Sequence, residues 1–212
     1  MSTGQVQLEQ VESVGGRRAG LGVNGWFLAA GALFVAYPAL RPYSSEVGLA
    51  GAQAFGSGRW VLAHTLAMLA FGCLAAGVYG FTQDRMARST AVLSAALVLP
   101  YYGAETFGLH ALGVAALRAD DGTLTGISDL VRNNPVALTM FGMGLITLAA
   151  CGIRLARLGW SQAKLGSALA GIGLATYLPQ FFGPPWVRIA HGILLAVGLV
   201  LLALSRRTTR VG

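Results

Sequence analysis

Glu105 is the single acidic residue within the long apolar runs of this chain, in the stretch Leu97-Val98-Leu99-Pro100-Tyr101-Tyr102-Gly103-Ala104-Glu105-Thr106-Phe107-Gly108-Leu109-His110. A carboxylate in hydrocarbon costs several kcal/mol unless it is protonated, paired or turned to a polar cavity, so such a residue marks function. Tyr101 and Tyr102, four and three residues before it, share its face of a regular helix. His110, five residues after it, points roughly 140° away. Glu105 is therefore expected to face the two tyrosines, and a Glu-His metal pair with His110 is disfavoured. Pro100, Gly103 and Gly108 permit a bend or local unwinding here.

The chemistry such a group would perform follows from its setting. Burial disfavours the charged form of a carboxyl, so Glu105 is read as a protonated general acid toward an alkene or epoxide. Aromatic faces stabilise the carbocation that follows, and exclusion of water prevents its early capture. His64 or His191 would accept the terminating proton. The expected binding aromatics are Tyr101, Tyr102, Phe107, Tyr177, Phe181 and Trp186, with Gln180 as a polar handle. The reading is an integral membrane enzyme acting on a lipid-soluble isoprenoid, a proton-initiated terpene cyclase that needs no metal. Its site chemistry is similar in kind to that of small integral-membrane terpene cyclases, which use intramembrane acids in multi-helix bundles; no motif matches and no residue is carried over.

Two alternatives use the same groups. His64 and His191, at equal depth on different helices, would supply both axial ligands of a haem b, or His110 with Glu105 would complete a metal site. A small proton-coupled transporter subunit also fits a buried acid in a bundle. Nucleotide-binding and hydrolase spacings such as Walker, HExxH and GxSxG are absent, and so are HxxxH, ExxH and CxxCH. Asp120-Asp121 in a Gly-containing loop reads as a solvated pair rather than a diphosphate site.

The elements that must position these residues are membrane helices. Of 212 residues 55% are hydrophobic and 11% charged, which excludes an ordinary soluble domain. Apolar runs of the bilayer-spanning length of about 20 residues recur along the chain. Six spans are predicted, 22–40, 60–81, 90–113, 135–153, 164–182 and 186–205, forming one compact all-α bundle over 21–206. Residues 1–20 read as a disordered cytoplasmic tail without the features of a secretory signal, and 207–212 as a basic tail.

One side collects Arg17, Arg18, Arg85, Arg88, Arg154, Arg157, Lys164, Arg206, Arg207 and Arg210; the other holds Arg41, Arg59, Arg118, Arg132 and Arg188. This bias predicts a multi-pass protein of the cell (inner) membrane with both termini cytoplasmic. The net charge of +7 lies at helix ends, where it serves topology and lipid headgroups rather than nucleic acid. Cys73 and Cys151 are expected as free buried thiols. The expected partners are membrane lipids and a hydrophobic or lipid substrate, and a homo-oligomer is compatible.

The helices also carry an echo. Trp60-Val61-Leu62-Ala63-His64 parallels Trp186-Val187-Arg188-Ile189-Ala190-His191, and each follows a helix ending in Tyr and Pro, Tyr37-Pro38 and Tyr177-Leu178-Pro179. Both copies run in one direction, which predicts a parallel internal repeat of spans one and two with five and six. Trp60 and Trp186 are read as interfacial belt residues.

Overall fold

The computed structural model describes residues 22–208, so the tail expected at 1–20 and the last residues of the basic tail lie outside the described residues. Among the described residues there are helices and no strands. The helices are α1 (Val23–Leu40), α2 (Gly48–Phe55), α3 (Gly58–Phe81), α4 (Arg85–Ala119), α5 (Ile127–Arg132), α6 (Pro135–Gly159), α7 (Lys164–Ala175) and α8 (Pro185–Thr208). Five of them, α1, α3, α4, α6 and α8, are long and apolar enough to cross a membrane.

Helix starts follow from local chemistry. The side chains of Ser57, Asp84 and Asn134 accept hydrogen bonds from the backbone N–H groups of Trp60, Ala87 and Val136, which begins α3, α4 and α6. Each cap satisfies a donor that the helix leaves without an intrahelical partner.

Two spans differ from expectation. The fifth, predicted over 164–182, is the 12-residue α7, about 18 Å long against a hydrocarbon core of about 30 Å. Past Ala175 the chain turns through Pro179–Phe182 as a single 3-10 turn, because Pro179, Pro184 and Pro185 cannot extend the ladder. The third, predicted over 90–113, runs the whole of Arg85–Ala119 and projects past the bundle. There α2, α5 and the turn Gly122–Gly126 pack on its end and build a cap. The cap was unforeseen, because its helices have only eight and six residues.

Neighbour packing closes a ring in which α1 touches α3, α3 touches α4, α4 touches α6, α6 touches α7, α7 touches α8 and α8 returns to α1. Close approach within the ring depends on small residues. A Cβ on Gly198 would collide with the Ala170 backbone across the α7–α8 contact. Phe34, Phe71 and Tyr177 fill the centre edge to face, with ring centroids 5.3–5.5 Å apart. Under the cap a second cluster joins Phe55, Trp60 and Leu109.

Candidate functional site at the cap end

α4 changes its winding at Glu105. Residues Ala104–Gly108 form one π turn in which the Leu109 N–H donates to Ala104 O, five residues back. In an α-helix that N–H would go to Glu105 O. The freed carbonyl of Glu105 instead accepts the indole Nε1–H of buried Trp60 at 2.7 Å, so the extra residue in the turn does not leave that carbonyl orphaned. The Thr106 hydroxyl donates to Tyr102 O at 2.6 Å in the same stretch.

The Glu105 side chain is not alone. Its Oε1 accepts from Arg132 Nε at 2.6 Å, and its Oε2 lies 3.4 Å from Arg132 Nη2 and 3.5 Å from His64 Nε2. Arg132, at the end of α5 in the cap, also donates to Glu46 Oε2 at 2.7 Å, while Glu46 Oε1 accepts from Arg41 Nη2 at 2.8 Å. The result is a chain of alternating charges, Arg41–Glu46–Arg132–Glu105, that ends on His64. Burial alone would lower the pKa of Arg132, but the hydrogen bonds and charges of Glu105 and Glu46 outweigh it and hold the guanidinium above its ordinary value.

His64 is oriented from below. Its Nδ1 lies 2.8 Å from Trp60 O, one helical turn earlier. A carbonyl only accepts, so Nδ1 carries a proton and Nε2 is the atom turned to Glu105. The imidazole is further held by Tyr37 and Trp60, at centroid distances of 5.5 and 4.2 Å.

His64, Glu105, Glu46, Arg41 and Tyr37 line a cavity of about 720 Å³ at the cap end of the bundle. His64, Glu105, Glu46 and Tyr37 form its polar side, Arg41 and Arg188 its cationic side, and Tyr101, Tyr102, Leu138, Phe141, Leu178, Phe181 and Phe182 its apolar side. Tyr101 stacks on Phe141 at 4.3 Å and 24°. Tyr43, also in the lining, donates its hydroxyl to Pro38 O at 2.9 Å; burial raises its pKa.

Of the residues singled out from the sequence, the structure brings His64, Tyr101, Tyr102, Glu105 and Phe181 into one cavity. Tyr177 and Gln180 are buried outside its lining. Phe107 and Trp186, expected in the same pocket, are 60% and 70% exposed and do not belong to its lining. The belt reading of Trp60 is corrected too, since its indole is fully buried and holds Glu105 O.

His191 lies apart from His64. It bonds through Nε2 to Gly173 O at 2.8 Å and rests on Tyr177 at 5.6 Å. His110 turns to the cap, with Nδ1 3.0 Å from Phe55 O. Among the described residues no group of three or more His, Cys, Asp or Glu could hold a metal ion. Both cysteines are free, Cys151 buried and Cys73 half-buried. Asp121 is a local cap whose carboxylate accepts from Thr123.

Sequence reasoning missed Glu46, and it assigned Arg41, Arg132 and Arg188 to topology. The available signal was Glu105 itself, since a buried acid requires a partner. Comparison with known protein families, curated proteins and solved structures returns no match.

Proposed function

We propose that this chain is a membrane-embedded enzyme that binds a lipid-soluble amphiphile, with isoprenoids the favoured class, and moves a proton at the polar head through His64 and Glu105. The observation that carries this reading is the 3.5 Å approach of His64 Nε2 to Glu105 Oε2 inside the cavity wall. With Nδ1 committed as donor to Trp60 O, neutral His64 turns a lone pair toward a carboxylate. Two acceptors then face one another, and a proton or a donor group of a bound molecule relieves the arrangement. A hydroxyl or a singly protonated acid group on the amphiphile would supply that donor.

In this reading His64 Nε2 takes the proton, Glu105 stabilises the imidazolium so formed, and Arg132 fixes Glu105. The role foreseen for Glu105, a free acid that initiates cyclisation, has less support. Arg132 occupies Oε1 at 2.6 Å, and protonating Glu105 would give up a charge-assisted bond. Cyclisation is therefore the weaker form of the proposal, and a base at His64 the stronger. The apolar wall of Tyr101, Phe141 and Phe181 suits a branched hydrocarbon chain.

The cap is taken to lie on the external side, with both termini cytoplasmic. The basic residues of the opposite end, Arg85, Arg88, Arg154, Arg157 and Lys164, support this. The parallel repeat of α1–α3 with α7–α8 is part of the same reading. Its support is that the corresponding pairs Tyr37–His64 and Tyr177–His191 make the same edge contact, at 5.5 and 5.6 Å.

The test is mass spectrometry of lipid extracts from membranes containing the wild type, His64→Gln or Glu105→Gln, with an absorption spectrum on each preparation. Both variants are expected to lose product by about 100-fold or more, the scale of a positioned acid-base group. Product unchanged in both would sink the proposal. A Soret band abolished by His64→Gln would establish haem binding in its place.

A further inference from the structure

The cationic side of the cavity has more charge than its carboxylates neutralise. Glu46 and Glu105 are both engaged by Arg132, and Glu46 also by Arg41. Arg188, in the first turn of α8, has no carboxylate partner among the described residues; its Nε and Nη2 donate to the carbonyls of Gly183 at 3.1 Å and Phe181 at 2.6 Å. Those bonds to neutral oxygens fix the guanidinium against the turn but leave its charge uncompensated. Arg41 is similarly incomplete, because its Nε is buried without a partner.

Both guanidiniums lie against one aromatic ring. The Tyr43 ring lies 5.6 Å from Arg41 Cζ and 5.8 Å from Arg188 Cζ, and all three residues line the cavity. Two like charges held against one ring, next to an apolar chamber, call for an anion with an apolar body.

We infer that the cavity selects an amphiphile whose head is a phosphate, received by Arg188 together with Arg41; this rests on the amphiphile reading above and specifies its head. A phosphate offers three acceptor oxygens, enough for two guanidinium forks approaching from different elements, whereas a carboxylate satisfies one. The hydrocarbon chain then lies along Phe141 and Phe181, and the head is within the same chamber as His64.

Binding of farnesyl monophosphate, farnesol, dioleoyl phosphatidic acid and inorganic phosphate to the full chain in nanodiscs of neutral lipid tests this. Farnesyl monophosphate is expected to bind at least about tenfold more tightly than farnesol, the gain of roughly one charge-assisted pair. Arg188→Gln is expected to abolish that preference while leaving farnesol affinity intact, and Arg188→Lys to retain part of it. Retained farnesol affinity doubles as the folding control; if Arg188→Gln loses it, Arg41→Gln, expected to reduce the same preference, decides.

Equal affinity for farnesol and its phosphate, or a preference that survives both substitutions, overturns the phosphate head and leaves the amphiphile reading standing. Phosphatidic acid binding as tightly as farnesyl monophosphate supports the phosphate head and assigns its source to glycerolipids. Inorganic phosphate competing as well as farnesyl monophosphate supports the anion site and overturns the amphiphile. Failure of every probe to bind overturns both.

Discussion

Trp60 donates its indole N–H to the backbone carbonyl of Glu105 across 2.7 Å, and so couples the start of α3 to the π turn of α4. The same tryptophan offers its own carbonyl to His64 Nδ1. One residue thus sets the height of Glu105 and the tautomer of the imidazole beside it.

Replacing Trp60 by Phe keeps most of the ring but orphans Glu105 O. The expected loss is about 1–3 kcal/mol, the penalty of an unsatisfied buried polar group. Chemical unfolding in detergent measures it. Trp186→Phe is the control, expected within about 0.5 kcal/mol because that side chain is 70% exposed.

Arg132 serves two carboxylates, so Arg132→Met leaves Glu46 and Glu105 without their shared partner. A destabilisation of about 3 kcal/mol is expected, the low end for breaking a buried ion pair, since the Arg132 side chain remains 20% exposed. Adding Glu105→Gln to Arg132→Met should recover part of the loss. A double-mutant cycle that shows simple additivity would mean that the pair is not energetically coupled.

The cap docks through Gly113. A Cβ there would meet the Gly56 backbone, with Phe55 Cβ at 2.7 Å and Ala52 O at 2.8 Å. Gly113→Ala is expected to cost about 1–3 kcal/mol by overpacking. Amide exchange should accelerate across 48–55 while the ring helices keep their protection, since the cap is a separate contact unit.

At the opposite end, the Arg154 guanidinium bonded to Asp84, aided by the Ala87 N–H, holds the Asp84 carboxyl below its ordinary range. The folded-state pKa is the lower one. Its contribution is therefore present above the unfolded value of about 3.9 and fades as pH falls through the folded value. Asp84→Asn should flatten the loss of stability in acid, as read from thermal unfolding between about pH 6 and pH 2.

The spans were legible because hydropathy and length alone define them, and Glu105 with Tyr101 and Tyr102 was legible because helical phase places them together. α7 was overextended because the apolar sequence through Phe182 hides the proline stop that ends the helix. The cap and its ion chain were illegible for a different reason: Glu46 and Arg132 lie 86 residues apart, and neither carries a local pattern. Trp60 was misjudged because a tryptophan at a helix start has the same sequence context in a belt or a core. Its burial depends on α2, a helix of eight residues.

The shortness of α7 has a consequence for supply. At the cap end the turn that follows α7 supplies Leu178, Phe181 and Phe182 to the cavity wall, and Phe181 meets Phe141 of α6 at a ring-centroid distance of 5.9 Å. Between α6 and α8 the cavity wall is thus made of loop side chains where a full-length helix would have stood. On the amphiphile reading proposed above such a wall admits the ligand from the bilayer, and occupancy is expected to follow its mole fraction in the bilayer plane rather than its bulk concentration, a dependence that surface-dilution kinetics reads directly.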